Sequence, residues 1–220
     1  MQPIWDINWR LFYVKINFIL FTDGSVRIFD EHRVSAYGCV VLDVSTKRYT
    51  TFGGPMKQSD SIVYVEAWAI YRGLQYINKI CKQRSVKPNI LIVSDSKLNV
   101  EIMTHYIPKV WNLNDWDNWR KTDGSKVKNQ ELYRNIVELI IQNNLHVKFI
   151  HIHGHTTERE QSKVYKELKH ADIKVPQKLC KVFVKMNAIA DEIATDITMA
   201  KKTAIKNKAE WKELKTNKGA

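Results

Sequence analysis

Two apolar runs in this chain end on carboxylates. "NFILFTDGS" ends on Asp23 and "LIVSDS" ends on Asp95. Both runs read as central strands, with apolar residues pointing to both faces of a sheet. A third acid, Glu66, lies in "YVEAWAIYRGL", three after Val63 and four before Ile70. That places it on the helical stripe formed by Val63, Ile70, Leu74 and Ile77. An acid on the buried face of a helix is costly unless it is paired or holds a metal. A fourth, Asp191, sits in "NAIADEIATDITMA", four after Asn187. If the two strands pair in parallel, Asp23 and Asp95 stand side by side at one sheet edge. Helices packed on the sheet then bring in Glu66 and Asp191. Four such carboxylates repel one another and raise each other's pKa, a conflict that a hard divalent cation removes. Mg²⁺ takes oxygen ligands, keeps some waters, and binds through a few carboxylates plus substrate phosphate. Two ions roughly 4 Å apart can clamp the attacking and leaving oxygens of a phosphodiester. The chemistry indicated is metal-dependent phosphodiester hydrolysis. Singly, three of the acids have plainer explanations: Asp23 as a turn residue before Gly24, Asp95 as a helix cap, and Asp191 as an exposed helix acid. No turn or cap explains Glu66.

The elements that must position these acids follow from pattern. "KINFILFTDGS" is a strand, and "AYGCVVLDV" and "KRYTTFGG" are two more, joined by "STK" as a hairpin. Asp60 or Ser61 caps a helix running to about residue 80. "NILIVSD" is the next strand. Helices are expected over about 98–107 and 131–143, with "HVKFIHIHGH" as the last strand. A further helix is expected near 158–170. The helix carrying Asp191 puts Ile189, Ile193 and Ile197 on one side and Asn187 with Asp191 on another. Three strands, helix, strand, helices, strand, helix imply an α/β fold whose mixed sheet begins as a meander and continues by parallel crossovers. Sites in such folds gather at the carboxyl ends of parallel strands. The expected organisation is an extension over 1–15, one domain over 16–199 with a long insertion at 156–186, and a basic tail over 200–220.

Bulk properties narrow the setting. At 220 residues, 44% hydrophobic and 26% charged, the chain is ordinary globular protein, with no apolar run near the roughly 20 residues that span a bilayer. No signal peptide is visible at the start. Cys39, Cys81 and Cys180 are odd in number, far apart and free of any C-x-x-C spacing, which argues against a disulfide framework and fits a reducing cytoplasm. A formal charge of +12 favours a polyanionic partner. No membrane association is expected, and a monomer is.

The motifs "FTDGS", "YVEAWAIYRGL", "LIVSDS" and "NAIADEIA" resemble, in order, the four acidic motifs of type 1 ribonuclease H, over about residues 17–199. The resemblance implies a ribonuclease H-like fold with a five-stranded sheet. It implies hydrolysis of the RNA strand of RNA–DNA hybrids with two Mg²⁺ ions, Mn²⁺ being able to substitute, and products with 5′-phosphate and 3′-hydroxyl ends. By that match Asp23 bridges both ions. Asp191 joins it on the ion that activates water, and Glu66 and Asp95 join it on the ion nearer the leaving oxygen. Gly24, Ser25, Ser96 and Asn187 then lie beside the nucleic acid.

"HIHGH" supplies His151, His153 and His155. The first two have strand spacing and read as strand residues with hydrogen-bonded rings. Three histidines could suggest zinc, but no cysteine is near and one short strand rarely gives three ligands to one ion. His155 resembles the family's loop histidine, thought to shuttle protons, with His153 as the register alternative. In many bacterial members a few residues separate that histidine from the last helix, whereas here residues 156–186 intervene. Residues 109–128 interleave Trp116, Trp119, Arg120, Lys121, Lys126 and Lys128 with other cations and tryptophans. Cations can neutralise phosphates and indoles can pack on sugars or bases, or the tryptophans can anchor a helix to the domain. "NWRKTDGSKVKNQELY" is similar to the basic protrusion of bacterial and vertebrate members, which favours grip on the DNA strand and a bacterial or phage-like member, and argues against the retroviral branches that lack it. The asparagine pair that many members place before the helix glutamate is replaced by Ile62 and Val63. That departure keeps two rivals open: the same fold acting on branched DNA or another structured substrate, and a non-catalytic hybrid-binding module.

Overall fold

The computed structural model describes residues 2–3, 16–29, 32–56, 61–85, 88–111, 119–121, 123–154 and 161–216, with side chains described as far as Lys206. The strands are β1 (Gln2–Pro3), β2 (Phe18–Phe29), β3 (His32–Asp43), β4 (Arg48–Pro55), β5 (Asn89–Ser94) and β6 (His146–His151). They form one sheet in the order β1-β4-β3-β2-β5-β6. β2, β3 and β4 make an antiparallel meander, and β5 and β6 add in parallel beside β2. The five long strands are the mixed sheet expected, and the two-residue β1 adds a sixth at the edge, paired to Tyr49 and Arg48.

The period-two alternation along β2 decides which layer each residue meets. Phe18 and Leu20 face a core shared with α1 (Ile62–Arg84) and α3 (Gln130–Gln142). Ile19 and Phe21 face a second core built with α4 (Gln161–His170) and α5 (Cys180–Thr216). The sheet is therefore covered on both sides, which is why its central strands are apolar throughout. Gly38 on β3 is where α5 crosses the sheet, because a Cβ there would collide with the Ala190 carbonyl. Ser61 caps α1, its hydroxyl accepting from the Tyr64 N–H.

Several boundaries differ from the sequence expectation. The helix after β5 is α2 (Lys97–Glu101), which widens into a π-helix over Ile102–Val110. The Trp111 N–H reaches the Tyr106 carbonyl at 2.8 Å, a five-residue step. α5 begins at Cys180, inside the segment read as insertion, and continues without a break to Thr216. Val182, Phe183, Val184 and Met186 are all buried where α5 enters the second core. Cys39, Cys81 and Cys180 are buried free thiols. Among the described residues no helix is long and apolar enough to cross a membrane.

Candidate metal and active site

The parallel register of β2 and β5 pairs Phe21 with Val93 and Thr22 with Ser94. One residue further, Asp23, still paired with Gly38 inside β2, stands beside Asp95, which lies just past the end of β5. Gly24 lets α1 close on that edge, since a Cβ there would stand 3.0 Å from both the Glu66 N–H nitrogen and Val65 Cγ1. Glu66 thereby arrives from the α1 layer. Carboxylate oxygens of Asp23, Glu66 and Asp95 all lie within 4.8 Å of one another. Asp191 is outside that 4.8 Å set but close to it. It comes from α5 within side-chain hydrogen-bonding reach of Asp23, and it lines the same cleft of about 210 Å³ with Asn187 and Ile62.

Burial is the main electrostatic fact here. It pushes the Asp23 carboxyl up to about 8, with the charge of Asp95 and then that of Asp191 adding, against the Gly24 N–H donated at 2.7 Å. Burial likewise pushes Glu66 up to about 7. The Asp95 charge adds to this, while hydrogen bonds from Ser96 and Asn99 oppose it. Carboxylates brought together and desolvated in this way are a poor arrangement for a cation-free protein and a good one for a hard divalent cation. Asn187 strengthens the fit. It is 5% exposed, lines the cleft, and its Oδ1 has no hydrogen-bond partner among the described residues. An acceptor oxygen left in that state suits a cation's water shell or a nucleotide donor.

A buried relay that sequence reasoning missed stands behind Glu66. Asn99 is fully buried, and its Nδ2 lies 2.8 Å from Ser96 Oγ, 3.1 Å from the Val63 carbonyl and 3.2 Å from Glu66 Oε2. The Tyr133 hydroxyl on α3 donates to Asn99 Oδ1 at 2.6 Å. That bond fixes the amide so that its NH₂ points at the carboxylate. Burial, followed by the Glu66 charge, raises the Tyr133 phenol well above its usual range, so it stays a donor.

The remaining sequence candidates divide. Trp119 belongs to the core and not to a binding surface. It is 1% exposed, with its ring 4.8 Å from Trp111, whose indole N–H donates to the Arg120 carbonyl. Ser96 is buried too, its hydroxyl engaged by Asn99 and Glu66, so it orients acids and does not face a ligand. Ser25 is buried within β2. Arg120, Lys121, Lys126 and Lys128 are exposed, with Arg120 and Lys126 bridged as a short hairpin. Trp116 and His155 lie outside the described residues. His151, half-buried at the end of β6, places Nε2 3.2 Å from the Asp95 carbonyl. Burial and then neighbouring His153 hold its imidazole below the usual range. His153 lies two residues past β6 and is exposed, so of the two expected strand residues only His151 is in the strand; the two rings meet edge to face at 5.0 Å.

Comparison with known proteins agrees with this architecture. The RNase H family model matches residues 15–199. Among curated proteins, none matches the chain by sequence. The fold is similar to that of the foamy viral protease–reverse transcriptase solved with RNA/DNA hybrid, at TM-score 0.54 and 15% identity, over 90% of this chain and 21% of that one. The chain thus spans about a fifth of that viral protein. It is also similar to LC11-RNase H1 from a compost metagenome, at TM-score 0.53 and 16% identity, over 84% of this chain and 96% of that one. The N-terminal RNase H domain of a Mycobacterium tuberculosis protein, solved as a maltose-binding-protein fusion, gives TM-score 0.50 and 14% identity, over 86% and 99% of the two chains.

Proposed function

The chain belongs to the RNase H family, and from that premise we propose that it is an endonuclease hydrolysing the RNA strand of RNA–DNA hybrids, leaving 5′-phosphate and 3′-hydroxyl ends. The observation that carries the reading is the cluster of Asp23, Glu66 and Asp95 within 4.8 Å, on the cleft that Asp191 completes. Asp23, central in the cluster, is the proposed shared ligand, with Glu66 and Asp95 on one side and Asp191 on the other. Bound Mg²⁺, or Mn²⁺ in its place, would neutralise these carboxylates and stabilise charge on the attacking and leaving oxygens. The chain's own residues do the rest. Asn99 and Ser96 orient Glu66, and Asn187 offers an acceptor to whatever enters the cleft. Gly24, at the cleft edge, is the proposed main-chain contact to a sugar, where 2′-hydroxyls distinguish RNA from DNA. His155, with His153 as the alternative, is the proposed proton carrier. Arg120, Lys121, Lys126 and Lys128 are the proposed contacts to the DNA strand. The three buried free thiols fit a reducing cytoplasm, and a monomer is the proposed state.

Asp95→Asn should abolish cleavage while hybrid binding survives, and normal cutting by that variant would sink the metal-site assignment. Ile62 lines the cleft and is 41% exposed. That apolar wall favours a second reading, a nuclease acting on another structured substrate such as branched DNA. Hybrid, double-stranded RNA and a four-way junction, compared in one Mg²⁺ assay with EDTA as control, separate the two.

A further inference from the structure

Residues 161–185, between the last strand and Asp191, are a part of the molecule that the proposed chemistry leaves unused. Residues 161–185 carry seven lysines against two acids, Glu167 and Asp172. Their arrangement is ordered. On α4, Val164 and Leu168 are buried in the second core, while Lys163, Lys166 and Lys169 are exposed. On α5, Lys181 and Lys185 are exposed, with Lys178 just before the helix. Among the described residues, Lys166, Lys169, Lys178, Lys181 and Lys185 form no ion pair. α3 differs, its exposed face closing Arg134 on Glu138 at 2.7 Å.

Helical phase connects these lysines to the cleft. Lys181 and Lys185 lie seven and three residues before Ala188, which lines the cleft with Val184 and Asp191. At 3.6 residues per turn, Lys181, Lys185 and Ala188 share one face. On that face Ala188 lines the cleft, and Lys185 and Lys181 stand about one and two turns, roughly 5 and 10 Å, toward the helix start. A nucleic-acid strand carries a phosphate about every 3.4 Å along its axis, so cations one turn apart meet phosphates a nucleotide or two apart. A second observation comes from the other side of the segment. A groove of about 520 Å³ runs between α4 and residues 172–176, its polar lining being Tyr165, Lys169, Lys174 and one acid, Asp172. Tyr165 is 37% exposed. An aromatic ring flanked by cations is the composition that tracks a sugar–phosphate backbone.

We propose that residues 161–185 form a second nucleic-acid platform, on the opposite layer of the sheet from Arg120–Lys128, that grips the phosphate backbone of the hybrid beyond the cleft. This rests on the hybrid-cleaving function proposed above. The test uses the full chain. Lys178→Gln, Lys181→Gln and Lys185→Gln are combined in one variant. Lys47→Gln, Lys79→Gln and Lys82→Gln, exposed lysines toward the other end of the sheet, are combined in a control of equal charge.

With a hybrid of about 20 base pairs, the platform variant should raise KM about tenfold with kcat within about twofold. Its salt dependence should weaken by about two to three in the slope of log KM against log salt concentration, roughly one for each phosphate that a lysine no longer neutralises. The control variant should match the parent. Equal losses in both variants, or no loss in the platform variant, would overturn the platform. Anisotropy of a labelled hybrid, read on the Asp95→Asn background, reports binding without cleavage. If the parent cuts no hybrid but the platform variant still loses about tenfold in binding relative to the control, the functional reading fails and the platform stands.

Discussion

The two sides of the carboxylate cluster are supported in different ways. Glu66 is held from outside its own helix, by Asn99 from α2 and Ser96 beside it, and Asn99 is in turn fixed by Tyr133 from α3. Asp191 receives a hydrogen bond from Thr195, one turn along the same helix, at a long 3.4 Å. The Glu66 side is therefore oriented by three packed elements before any cation or substrate arrives. On the Asp191 side the support comes from its own helix, through Thr195, and from the reach to Asp23. One side draws on neighbouring elements, and the other on the helix that carries it and on the shared acid. Pre-built ligands save the reorganisation that binding would otherwise require.

That contrast can be broken outright at the residue common to both sides. Asp23→Asn should lower kcat on hybrid by on the order of a thousand-fold or more, and calorimetric titration with Mg²⁺ should lose both phases of binding. A variant that keeps one phase would mean the sides do not share Asp23. Next in size is Asn99→Ala, which leaves Glu66 in place and removes its orientation. Apparent metal affinity should fall about ten- to a hundredfold, with KM for hybrid unchanged. Mn²⁺ binding followed by paramagnetic resonance gives a readout independent of turnover.

A pH effect should be visible in the metal-free protein. Asp23 and Glu66 titrate near 4 when unfolded but are pushed up to about 8 and about 7 in the fold. Between those values the folded chain holds protons that the unfolded chain releases. Their contribution to stability is therefore full below about pH 4 and declines as pH rises toward 8. Urea midpoints in EDTA between pH 5 and 8 should slope downward more steeply for the parent than for Asp23→Asn. Saturating Mg²⁺ should flatten the parent's slope. The smallest effect belongs to Thr195→Val, which removes a long hydrogen bond on the Asp191 side and should change kcat by less than about threefold. A loss as large as that of Asn99→Ala would erase the distinction between the sides.

Much of the cluster was legible in the sequence alone, and the reason is local. Asp23 and Asp95 close apolar runs, and Glu66 interrupts a helical stripe, so each shows its oddity within a dozen residues. The relay behind Glu66 was not legible. Asn99 and Tyr133 are 34 residues apart, and only the packing of α3 against α1 brings them together. Trp119 misled for a different reason, since an indole among lysines has the same composition whether it faces nucleic acid or anchors a loop. The start of α5 was hidden by its own burial. Val182, Phe183 and Val184 are consecutive and all buried, which erases the one-sided period that marks a surface helix. The acidic site depends on short-range pattern, while its supports depend on contacts that pattern does not encode.

α5 runs for 37 residues, about 55 Å, without interruption. It carries both Asp191 and the lysines that precede it, so the two behave as marks on a single screw. Each residue added between Lys185 and Asp191 would turn one mark about 100° relative to the other, and only whole turns would bring them back into phase. Length in this part of the chain is therefore quantised in steps of about three or four residues. The stretch before Cys180 is tied to the fold in another way, through Val164, Leu168, Ile173, Val175 and Leu179 in the second core. The fold thus fixes one part of the segment by burial and the next by pitch.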